Sequence, residues 1–131
     1  MNVKNTFSWV LKLCAAVILL QTLYFKFTAH PDSVLIFSAL GVEPWGRVGL
    51  GIIELIVAVA ILIPKTQLIG MISCLSIMVG AILSHLLVLG IQVASDGGGL
   101  FTLALAVFLA SSIFLWMHKK DVLSLVKKII S

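Results

Sequence analysis

Four residues in otherwise apolar surroundings carry the chemistry of this sequence: Gln21, Lys26, Glu54 and His85. An ammonium, a carboxylate and an imidazole can neutralise one another, bind a polar head group and pass a proton. The catalytic role itself is unknown from the residues alone, and Glu54 with His85 is the candidate proton relay. Glu54 lies seven residues beyond Arg47, which on a helix is about 10 Å. His85 precedes Gly90 by five residues, and Lys26 precedes Pro31 by five, about 7 Å in each case. The three groups therefore belong to one layer, on three different helices. Gln21 sits deeper, with Tyr24 and Phe25 one turn above it. Arg47 stands at the outer end of helix two and Asp96, just outside, can close the layer from above, completing a candidate ligand pocket of Gln21, Tyr24, Lys26, Arg47, Glu54, His85 and Asp96.

Those depths presuppose membrane helices, and composition supports them. The chain has 131 residues, 61% hydrophobic and 11% charged, with a mean hydropathy of +1.22. A soluble domain carries about 25% charged residues. A bilayer crossing needs about 20 apolar residues, and four stretches fit: 7–28, 46–63, 67–89 and 100–117. The expected fold is all-α, a single domain over 1–131 built as an antiparallel four-helix membrane bundle. The first apolar run is too long for a signal peptide and no small-residue cleavage site follows it, so it reads as a retained helix.

Basic residues orient the bundle. With the N-terminus inside, seven lysines (4, 12, 65, 119, 120, 127 and 128) lie on the inner side and only Lys26 and Arg47 toward the outside. Both termini are then cytoplasmic. Trp9 and Trp116 mark the inner interface, and Tyr24 and Trp45 the outer one. Topology accounts for the net charge of +4 without a nucleic-acid partner. Lys12, one turn inside, is expected to snorkel to the inner surface.

The connections have their own signals. Asn5 or Thr6 is the expected cap of the first helix. In the outer loop, "PDSVLIFSALG" reads as a short amphipathic helix capped by Asp32 or Ser33 and ended by Gly41, lying over the bundle mouth. "IPKTQ" is a tight inner turn that makes helices two and three antiparallel neighbours. The tail 119–130 places Val122, Leu123, Leu125, Val126, Ile129 and Ile130 on one face and four lysines on another, the pattern of an amphipathic helix on an anionic membrane surface.

Each polar residue also has a plain structural reading. Polar side chains join membrane helices by hydrogen bonds worth about 0.6 kcal/mol on average. Against this, a charged residue within a span costs roughly 2.5–3.5 kcal/mol on insertion scales and commonly marks a site. Three ionisable groups at one depth favour the site. Lys26 is expected to face Glu54, because a buried charge needs its counter-charge. No metal is expected: the histidine and carboxylate spacing has no metal-binding pattern. Arg47, Gly51, Glu54 and Ala58 share one face of helix two, which should point inward. Gly70, Ser73, Gly80 and Ser84 form a stripe expected to serve helix packing. Cys14 and Cys74, at similar depth, read as packing residues that can come into contact.

A first helix ending "QTLYFKF", an outer loop closing "GVEPWGRVG", Glu54, a proline at the inner end of helix two and "GAILSH" in helix three together resemble the DoxX-like family of small bacterial membrane proteins. The likeness spans nearly all of residues 8–117. It implies a four-helix bundle in the bacterial inner membrane. Family relatives include a membrane subunit of an archaeal thiosulfate:quinone oxidoreductase and a component of a mycobacterial membrane-linked oxidoreductase complex.

Two functional readings follow. In the first, the chain is a membrane subunit or accessory of a quinone-linked redox system: no cofactor is covalently bound, the pocket takes a quinone head group, Lys26 or His85 donates to it, Glu54 relays the proton, and electrons come from a protein partner. In the second, it is a non-catalytic binding, assembly or small-molecule transport module; a carrier built from four helices is expected to work as a homodimer.

Overall fold

The computed structural model describes residues 2–92 and 97–130. Asp96 lies outside the described residues. Among those described, the regular elements are all helices: α1 (Val3–Phe27), α2 (Pro31–Ala39), α3 (Trp45–Leu62), α4 (Gln67–Ser84), a π-helical turn (His85–Leu89), α5 (Gly99–Met117) and α6 (Lys119–Ile130). Four helices are long and apolar enough to cross a membrane: α1, α3, α4 with its π turn, and α5. The chain is a multi-pass membrane protein. The spans begin and end within a few residues of the sequence expectation, except that α1 starts earlier. Its cap is Asn2, whose side chain accepts from Asn5 N at 2.8 Å. Asn5 and Thr6 thus lie inside the helix rather than capping it.

The spans are arranged as a square. α1 packs on α3 and α5, and α4 packs on the same two, so α1/α4 and α3/α5 are the diagonals. One half of the bundle is tightly packed. Leu11, Ala15 and Leu19 of α1, Val57, Ala58 and Ile61 of α3, Met71, Cys74 and Met78 of α4, and Val107, Ala110 and Phe114 of α5 form its core. Small residues set the spacing: a Cβ on Gly70 would stand 2.8 Å from the Ile61 backbone nitrogen, so α3 and α4 meet where no side chain intervenes.

At the other end α2 lies across the bundle, touching α1, α3 and the π turn. Its cap corrects the sequence expectation. The His30 ring, not Asp32 or Ser33, accepts at Nδ1 from the backbone N–H of Asp32 (3.2 Å), the first amide hydrogen of the helix, since Pro31 before it has none. Gly41, at φ +76°, follows the last turn, a backbone region open to glycine. α6 continues from α5 across His118; none of its side chains is buried, and it presents apolar Leu123, Val126, Ile129 and Ile130 outward beside its lysines.

Two further expectations change. Lys12 does not snorkel. It is buried at 2% exposure, donates from Nζ to Gln67 Oε1 at 2.9 Å and lies 3.5 Å over the Trp9 ring. A fixed amide on the diagonal helix α4 and an aromatic face replace the water its ammonium would have sought. Cys14 and Cys74 are free thiols, Cys14 exposed on the outside of α1 and Cys74 fully buried.

Candidate functional site

Above the tight core the four spans separate around a partly open cavity of about 550 Å³, and a smaller one of about 90 Å³ continues it inward. α1 contributes Gln21, Thr22, Phe25 and Lys26; α3 contributes Leu50 and Glu54; α4 and its π turn contribute Gly80, Ala81, Ser84 and His85; α5 contributes Leu100 and Leu103. α2 covers one side with Ser33, Ile36 and Phe37. The exposed wall is mostly apolar, the usual composition of a small-molecule site with a few convergent polar groups.

Lys26 and Glu54 form the central pair. Nζ stands 3.2 Å from Oε2, with 13% and 5% of the side chains exposed. The approach is ionic but off hydrogen-bond alignment, so Oε2 has no hydrogen-bond donor among the described residues. Thr22 lies one turn before Lys26; its hydroxyl donates to the Leu19 carbonyl at 2.9 Å and also stands within hydrogen-bonding reach of the Glu54 carboxyl.

His85 opens the π turn at 5% exposure. Its Nδ1 lies 2.9 Å from the Gly90 carbonyl, which can only accept, so Nδ1 carries the hydrogen. The Gly90 N–H returns to the His85 carbonyl at 2.7 Å. Gly90 sits at φ +80° and ψ 171°, a combination essentially confined to glycine. The imidazole is clasped by one glycine, with its tilted ring 5.5 Å from that of Phe101.

Of the residues singled out from the sequence, Gln21, Lys26, Glu54 and His85 line the one cavity. Tyr24 does not; it is 66% exposed and its ring stands nearly perpendicular to that of Phe25. At about 100° per residue, Gln21, Phe25, Thr22 and Lys26 span an arc of about 140°, and Tyr24 falls about 60° beyond its edge. Arg47 is buried but does not line the cavity. Its guanidinium donates to Glu43 Oε1 at 2.8 Å and to the Lys26 carbonyl, tying α3 to the end of α1. The face Arg47, Gly51, Glu54 and Ala58 is buried, as its spacing predicts.

The small-residue stripe of α4 divides. Gly70 packs, whereas Gly80 and Ser84 border the cavity, and a Cβ on Gly80 would meet nothing within 4 Å. Sequence reasoning left out Thr22, His30, Ser33, Ser84 and Gly90. Thr22 and Ser84 had a legible signal, one a turn before Lys26 and the other adjacent to His85; Gly90 had none, because a π turn leaves no mark in apolar periodicity. Among the described residues no three histidine, cysteine, aspartate or glutamate side chains converge as a metal site would require.

A model of the DoxX-like family matches residues 10–112, which takes in two membrane helices whole, most of α1 and α5, and every described cavity residue. The chain belongs to the DoxX-like family. No curated protein and no solved structure matches it. The family membership and the four apolar helices together make this a DoxX-like membrane protein, in contact with lipid over the exposed leucines, isoleucines and valines of its spans.

Proposed function

We propose that this DoxX-like chain is a small subunit of a quinone-linked redox system in the bacterial inner membrane, and that its cavity receives the head group of a lipid-soluble quinone-class molecule. One observation carries the reading: a mostly apolar cavity of about 550 Å³ holds an ammonium, a carboxylate and an imidazole from three spans within its wall. The apolar wall suits the ring and tail, with Phe25 and Phe37 as aromatic surfaces. Lys26 can donate to a ring oxygen, and Glu54 and His85 can hand a proton onward. Electrons pass to or from a protein partner. The excess of lysines at the α6 end supports an orientation with both termini cytoplasmic, α2 on the outer face and α6 on the inner surface.

A second reading, a non-catalytic binding, assembly or transport module, is favoured by the Lys26–Glu54 contact itself. A carboxylate held at 3.2 Å by an ammonium resembles a structural tie as much as a proton carrier.

Mass spectrometry of the protein purified from native membrane under mild conditions, wild type beside Glu54→Gln, separates the two. A quinone-class molecule kept by the wild type and lost from the variant is the expected result. An empty wild-type cavity with a persistent protein partner sinks the redox reading.

A further inference from the structure

The hydrogen-bond inventory of the cavity's deep wall is one-sided. Thr22 donates its hydroxyl hydrogen to Leu19 O at 2.9 Å, and Ser84 donates its own to Gly80 O at 2.8 Å. Each oxygen is left with lone pairs only. His85 commits Nδ1–H to Gly90 O at 2.9 Å, so in the neutral ring Nε2 is an acceptor. The Glu54 carboxylate is an acceptor as well. Four groups from α1, α3 and α4 with its π turn, all on the cavity lining, thus have acceptors to offer. Lys26 and the Gln21 amide are the donors on the spans, and Lys26 already faces Glu54 at 3.2 Å; the other donors of the lining, the His30 ring N–H and the Ser33 hydroxyl, belong to the α2 side of the cavity.

We infer that the cavity selects a neutral amphiphile whose polar end is a hydroxyl, the O–H donating to His85 Nε2 and its oxygen accepting from Lys26. Neutrality follows from the buried pair: Lys26 and Glu54 cancel, the other carboxylate of the lining, Asp32, is half exposed on the α2 side, and a charged head beside the pair would leave a net charge in an apolar wall. The hydroxyl follows from the acceptors. A carbonyl or an ether oxygen can take a hydrogen from Lys26 but offers none to His85, Thr22 or Ser84, and buried polar groups left unpaired weaken binding. Applied to the redox reading, on which this step rests, the form held is the quinol and not the quinone.

The full chain in nanodiscs, under anaerobic conditions, is titrated with three probes of one shape: a decyl hydroquinone, the matching decyl benzoquinone and the hydroquinone dimethyl ether. Empty nanodiscs correct for partitioning. The hydroquinone is expected to bind at least about tenfold tighter than either other probe, the size of one hydrogen bond in such a site. In His85→Phe, which keeps a ring against Phe101, the preference is expected to shrink below about threefold. The three wild-type titrations decide the matter even where that variant fails to fold. Quinone or ether binding as tightly as the hydroquinone overturns the inference and leaves the quinone-class reading standing. If none of the three binds but decanol binds better than its methyl ether, hydroxyl selection holds and the redox reading falls. Binding by none of the five probes overturns both.

Discussion

Lys26 on α1 and Glu54 on α3 meet with Nζ 3.2 Å from Oε2, and the Lys26 backbone carbonyl is held at the same junction by Arg47. The ammonium and its own backbone are therefore fixed by two residues two turns apart on one face of α3. Removing one charge leaves the other in an apolar wall. Glu54→Leu and Lys26→Met are each expected to lower stability by about 3 kcal/mol, the low end for a buried pair because Lys26 keeps some exposure. The double variant is expected to recover most of that loss. Unfolding of the four proteins in detergent gives the cycle; additive losses would mean that the pair is not coupled.

Gly90 is the second control point. Its φ of +80° and ψ of 171° let it accept from His85 Nδ1 while its N–H reaches the His85 carbonyl. Gly90→Ala is expected to cost about 1–3 kcal/mol, the range for a side chain forced into such a conformation. It should also release the imidazole. Nitrogen-edited NMR of the His85 ring reports this directly: the wild type should show one fixed tautomer with the hydrogen on Nδ1, and the variant an exchanging mixture.

Much of this was legible beforehand. Hydropathy placed the four spans, because a bilayer crossing demands long apolar runs. Counting turns brought Lys26, Glu54 and His85 to one depth. Depth is a one-dimensional quantity that sequence spacing carries well. Direction is not. Tyr24 and Phe25 are neighbours in sequence, yet one faces outward and the other lines the cavity, because the arc facing the cavity is narrow. The fate of Lys12 depended on Gln67, 55 residues away, and no local pattern announces such a partner. The division of the α4 stripe into packing and cavity depended on where the helices separate.

Lys12 offers a test of asymmetry. Its ammonium is buried and rests on the Gln67 amide and the Trp9 face. Lys12→Met keeps the length and apolar stem and removes the charge, leaving a half-buried amide that can find other partners. Gln67→Leu removes the acceptor and leaves the charge in place. Gln67→Leu is therefore expected to be the more damaging by about 1–3 kcal/mol, the cost of stranding a charged donor. Equal losses in thermal unfolding would show that the contact contributes little.

Gly70 and Gly80 lie ten residues apart on α4 and should respond oppositely to the same change. At Gly70 a Cβ would come within 2.8 Å of Ile61 N and 3.0 Å of Ala60 C. Backbone of α3 cannot yield without moving the helix, so Gly70→Leu is expected to cost about 1–3 kcal/mol or more as an overpacked core does. At Gly80 the same Cβ meets open space beside the cavity. Gly80→Leu should fold as well as the wild type or better, since leucine also favours the helix by up to about 1 kcal/mol over glycine. Its side chain would occupy volume that a ligand needs. The expected pattern is stability lost in the first variant, and binding lost with stability kept in the second. Unfolding curves and hydroquinone titrations on both proteins check it. Retained affinity in Gly80→Leu would place the ligand elsewhere than in this cavity.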